Sequence, residues 1–142
     1  MNWYKKSQRR KTIEEIAKRI YEKEIKYWED NFEGLKNQCL PISINLKNEL
    51  IKNGYKAIVV MGTFSVDNPE EIYYDENMKV IPKKEREEIM YTPLHYWVEV
   101  NGIIIDITAT QFNDRINDKM EPVTIGTYSE LDRYTPKARG WK

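Results

Sequence analysis

The sequence predicts an α+β domain, and three observations predict it. Two stretches with helical spacing of apolar residues come first, and an apolar strand with an antiparallel hairpin on Asn101-Gly102 follows. A chain of 142 residues suits one domain, 1–142, that buries a core without metal or disulfide support.

The first element is a helix over residues 12–28. Ile13, Ile16, Ala17, Ile20, Tyr21, Ile25 and Trp28 recur at three-and-four spacing, and Thr12 with Glu15 forms a capping box at its start. A loop from Asp30 to Gln38, containing Gly34, leads to a second helix from Cys39 to Asn53. Pro41 suits its first turn, where a missing N–H costs nothing, and Gly54 suits the position after its end. Its apolar stripe is Leu40, Ile44, Leu46, Leu50 and Ile51.

Tyr55 to Val66 reads as a largely buried strand centred on Ala57-Ile58-Val59-Val60-Met61. Residues 67–90 form a charged insertion holding Pro69 and Pro82, with room for a short helix from Lys83 to Met90; it is a solvated excursion or a mobile cover. His95–Val100 and Ile103–Thr108 make the hairpin, and Pro122–Tyr128 adds a strand before a polar, weakly patterned tail.

Composition removes several function classes. Lys plus Arg equal Asp plus Glu at 23 each, so no overall field favours nucleic acid or a membrane surface. The basic run from Lys5 to Lys11 is followed by acidic residues and reads as a solvated face. Charges interrupt the N-terminal segment, which leaves no signal peptide and no membrane span, and a single cysteine forms no internal disulfide. The expectation is a cytoplasmic protein. One His and one Cys fall short of a zinc set, and there is no phosphate loop or dinucleotide fingerprint, so neither metal nor cofactor is expected.

The one cysteine and the one histidine nevertheless point to chemistry. A lone cysteine is most often a small buried apolar residue. Cys39, however, opens a helix, where unpaired N–H groups and the positive dipole end stabilise a thiolate. The same N–H groups can stabilise an oxyanion; the side chain of Gln38 or Asn37 adds a donor there or caps the helix.

The hairpin tests the remaining pair. With Asn101 and Gly102 as turn residues, Trp97 faces Asp106 and His95 faces Thr108, which puts His95, Trp97, Glu99, Ile104, Asp106 and Thr108 on one face of the sheet. His95 and Asp106 are then diagonal neighbours, about 7–8 Å apart at the backbone and within reach of a carboxylate–imidazole contact. A thiol, an imidazole and a carboxylate so placed are the parts of a nucleophile that attacks a carbonyl carbon. Trp97 and Thr108 form the site wall, Trp97 shielding it from water.

The order Cys39 at a helix start, His95-Tyr96-Trp97-Val98-Glu99-Val100, then Ile103-Ile104-Ile105-Asp106-Ile107-Thr108 resembles the transglutaminase-like branch of the papain-like cysteine enzymes. That family shows His-x-Trp-x-Glu followed by Asp-x-Thr, and the resemblance spans roughly Leu35 to Gln111. It implies a papain-like/transglutaminase-like core over residues 35–128, with the Cys-bearing helix packed on an antiparallel sheet that supplies His95 and Asp106. It also implies a thioester acyl-enzyme: Cys39 attacks an amide or ester, His95 moves protons and Asp106 orients His95. Passing the acyl group to water makes the protein a protease or deamidase, and passing it to an amine makes it a transglutaminase-type acyltransferase. The implied partner is a protein or peptide offering an amide or a glutamine side chain. The opening residues, Met1 to Lys6, resemble the start of small bacteriophage proteins, which implies the cytoplasm of a bacterial host. A second class remains open on the same fold, an inert binding module that occupies a host factor.

Overall fold

A computed structural model describes residues 3–25, 38–68, 77 and 92–141. In chain order these form α1 (Trp3–Glu24), α2 (Cys39–Lys52), β1 (Ala57–Phe64), β2 (Leu94–Val100), β3 (Ile103–Asp106), a 3₁₀ turn (Ala109–Phe112), β4 (Thr124–Thr127) and β5 (Tyr134–Trp141). The strands pair antiparallel in the order β4-β3-β2-β1-β5, and both helices pack on this five-stranded sheet, which is the α+β class that the sequence predicts.

The helix α1 begins at Trp3, not at Thr12. Lys, Arg and Gln between residues 5 and 11 are strong helix formers, so the helix extends through a stretch that carries no apolar periodicity. Thr12 and Glu15 therefore lie inside the helix and do not open it. Among the residues of α1 whose burial is described, Ile13, Ile16, Ala17 and Ile20 are buried. The expected continuation through Trp28, the loop as far as Asn37, and the helix from Lys83 to Met90 lie outside the described residues.

The second helix has the expected bounds. Pro41 sits in its first turn, Asn53 caps it, and Gly54 follows at φ +88°, a left-handed conformation that glycine adopts without a steric cost. Its packing stripe is displaced from the expected one. Ile42, Ser43, Leu46 and Leu50 are buried, while Ile51 is 49% exposed. The helix meets the sheet through one i, i+4 row, and Leu40, Ile44 and Ile51 flank that row.

The turn specifies the hairpin. Asn101 and Gly102 have φ of 49° and 79°, the two left-handed residues of a type I′ turn, and Val100↔Ile103, Glu99↔Ile104 and Val98↔Ile105 are paired as the turn dictates. The ladder stops short of Thr108. Asp106 accepts hydrogen bonds from Thr108 N (2.8 Å) and Thr108 Oγ1 (2.9 Å), a local turn that bends the chain into the 3₁₀ segment.

The expected final strand is β4, whereas the segment read as a polar tail forms β5 on the outer side of β1. An edge strand has one unpaired side, so it tolerates Pro136, Lys137, Arg139 and Gly140, and its register shifts twice against β1.

Two cores result. Ile13, Ile16, Ala17, Ile20, Ile42, Leu46 and Leu50 from the helices pack on Ala57, Val98, Val100, Ile105 and Ile107. On the opposite face Val60, Phe64, Trp97, Ile104, Phe112, Ile116 and Tyr134 form a second cluster. Among the described residues no helix is long and apolar enough to cross a membrane.

Candidate functional site

Cys39 is the first residue of α2, and Ser43 Oγ one turn on donates to Tyr96 O at 3.4 Å, which ties the start of the helix to the start of β2. The thiol is half-buried. His95, the second residue of β2, is fully buried, as is Asp106 at the end of β3.

The geometry brings the three together. His95 Nε2 and Asp106 Oδ2 are 2.7 Å apart, and the carboxylate is held ionised, so Nε2–H is the donor. Burial works against the charge on Asp106, and the imidazolium, Tyr134 and Thr108 together hold the carboxyl below its usual range. Burial likewise pulls His95 down. The charge and hydrogen bond of Asp106 outweigh it, and with a contribution from Cys39 they raise the imidazole to about 9. With Nε2 committed to Asp106, the ring nitrogen left for the thiol is Nδ1. Cys39 raises the imidazole first as a hydrogen-bonding neighbour and then through its charge, yet Nδ1 has no partner of full hydrogen-bond geometry among the described residues.

Aromatic rings seal the imidazole. Phe112 meets it edge-on at 5.0 Å and Phe64 at 5.9 Å, and Trp97 lies tilted at 5.9 Å. Trp97 is fully buried and donates from Nε1 to Tyr128 Oη at 3.0 Å; Tyr128 in turn donates to Glu99 Oε1 at 2.7 Å, and Arg139 closes the chain on Glu99. Thr108 touches the site through Asp106 Oδ1. The backbone of Gly62, on β1, pairs with that of His95, and a Cβ on Gly62 would collide with the backbone oxygen of Thr135 and with the indole of Trp97.

Of the two proposed oxyanion side chains, Gln38 stands at the N-cap without a side-chain capping bond, while its carbonyl accepts from Ile42 N at 3.0 Å. Asn37 lies outside the described residues.

Tyr134 belongs to the site although no sequence pattern marks it. Tyr134 Oη donates to Asp106 Oδ2 at 2.6 Å from within the segment read as a tail. The available signal was an aromatic in an otherwise polar stretch, Arg133-Tyr134-Thr135-Pro136, with no periodicity to place it. Gln111, buried in the 3₁₀ turn, donates to Thr108 O at 3.0 Å and steadies the loop that carries Thr108.

Among the described residues no group of His, Cys, Asp and Glu is arranged to hold a metal ion. No family model matches this chain, and no curated protein or solved structure matches it.

Proposed function

We propose that this protein is a cysteine-dependent acyl hydrolase or acyltransferase on a transglutaminase-like core, acting on a protein or peptide amide or on a glutamine side chain. One observation carries the reading: a buried carboxylate holds one nitrogen of the imidazole, and Cys39 is close enough to raise the proton affinity of the same ring.

In the reaction, the thiolate of Cys39 forms a bond to the carbonyl carbon as the π pair moves onto oxygen. Backbone N–H groups at the start of α2 receive that oxyanion. Collapse restores the carbonyl and breaks the C–N bond, with His95 donating its proton to the departing nitrogen. Water or an amine, deprotonated by the now neutral His95, then attacks the thioester, and Cys39 leaves as the thiolate. Asp106 stays ionised throughout and keeps Nε2 engaged, so the ring cannot rotate away from the sulfur.

The incomplete contact at Nδ1 is the observation that favours the alternative, an inert binding module, although resting sites often hold such contacts loosely. Alkylation separates the two. With iodoacetamide near neutral pH, Cys39 in the wild type reacts about tenfold or more faster than in His95→Ala, with Cys39→Ser as the mass-spectrometric control. Equal rates in wild type and His95→Ala sink the enzymatic reading.

A further inference from the structure

We propose that Tyr134 is a positioning residue of this site: its hydroxyl shares one oxygen of Asp106 with His95 and so fixes the orientation and the proton affinity of the pair. The carboxylate receives four donors. Oδ1 takes Thr108 N and Thr108 Oγ1 at 2.8 and 2.9 Å, and Oδ2 takes His95 Nε2 and Tyr134 Oη at 2.7 and 2.6 Å. An ionised carboxylate offers about four lone-pair sites, so none is left over.

The two outer donors differ in origin. Thr108 arrives with the local turn that ends β3, whereas Tyr134 comes from the edge strand β5, 28 residues beyond Asp106. Its ring is buried and held edge-on by Phe64 and Trp97, both at 5.1 Å, a packing role that phenylalanine would fill. A buried hydroxyl is costly without a partner. The partner it has is the carboxylate that orients the imidazole.

The sharing has a directional effect. When His95 holds its second proton, it draws charge from Oδ2; when that proton has gone to a leaving group, the Tyr134 hydroxyl faces a fuller negative charge and bonds more strongly. Tyr134 therefore favours the neutral imidazole over the imidazolium and keeps Asp106 from taking the proton itself. Among the described residues, the titratable groups acting on this trio, besides its own members, are Cys39 from α2 and Tyr128 from the loop after β4.

His95 is the one histidine in the chain, so its ring C–H signal titrates in a proton NMR spectrum without assignment. In Tyr134→Phe the acid-side midpoint, where Asp106 takes a proton, rises by about one unit, a tenfold change in proton affinity, and the alkaline midpoint of His95 rises with it. In the wild type the Tyr134 hydroxyl proton gives a slowly exchanging downfield signal that moves at the midpoint of His95; this measurement needs no variant to fold. Midpoints unchanged in folded Tyr134→Phe, or a hydroxyl signal indifferent to His95, overturn the assignment. The proposal rests on the thiol reading above, and the failures differ: an unchanged titration with alkylation still dependent on His95 removes Tyr134 alone, whereas alkylation indifferent to His95→Ala removes the reaction and with it the role of Tyr134.

Discussion

On the helix side of the sheet the buried side chains are almost all aliphatic, Ile, Leu, Val and Ala, and the one buried polar residue of α2, Ser43, bonds to a backbone carbonyl. On the other side the same strands carry Phe64, Trp97, Phe112 and Tyr134 around a buried imidazole and carboxylate. The first face stabilises by removing apolar area from water. The second holds ionised groups that burial penalises, and it is tolerable because each charge has a partner. Cys39 belongs to the helix layer yet reaches the imidazole of the other layer, so the candidate site is a junction between a face that is stable and a face that is charged.

Removing one member of the buried pair tests this contrast most severely. Asp106→Ala leaves the buried imidazole without its counter-charge and its hydrogen-bond acceptor and should lower stability by about 3–5 kcal/mol in urea unfolding. Leu46→Ala, at a fully buried site of the helix face, should cost about 2–5 kcal/mol through its cavity yet leave the NMR titration of His95 where it was. A Leu46→Ala variant that moves that titration would break the division into two faces.

The pH dependence of stability is the next largest effect. His95 is raised from 6.5 to about 9, so its contribution is full below about pH 6.5 and is lost as pH rises through 9. The shift corresponds to about 3 kcal/mol, measured as the difference between urea unfolding at pH 6 and pH 9. Asp106 has the opposite sign: its depressed pKa stabilises above the ordinary carboxylate value, and that stabilisation is lost as pH falls through the folded pKa. Stability should therefore be greatest in the mildly acidic range. Asp106→Asn should lose most of the alkaline dependence; Leu46→Ala should keep it.

Gly62→Ala is the smallest of these changes. The added methyl meets a backbone oxygen of β5 and the Trp97 indole, so the aromatic wall or the edge strand must shift, at a cost of about 1–3 kcal/mol. A cost near zero would mean that the Trp97 wall is looser than its burial implies.

Much of the site was legible because the relevant rules are local. The Asn101-Gly102 turn sets the register, and side chains alternate along strands, so His95 and Asp106, 11 residues apart, had to share a face whatever the rest of the chain did. Pro41 and Gly54 bracket α2 by their own backbone limits, which places Cys39 at a helix start. The start of α1 and the strand β5 escape the sequence pattern for one cause. Neither the Lys- and Arg-rich start of α1 nor the charged edge strand carries an apolar period, so hydrophobic periodicity has nothing to record there.

The sequence by itself therefore determined the hairpin, its register and the common face of imidazole and carboxylate, because turn geometry and strand alternation act over a few residues. Only the tertiary structure decided that Cys39 lies against that imidazole and that Tyr134 completes the carboxylate. Those contacts depend on how α2 and β5 dock on opposite sides and edges of the sheet, and docking is set by the summed packing of both cores, which no short stretch of sequence encodes.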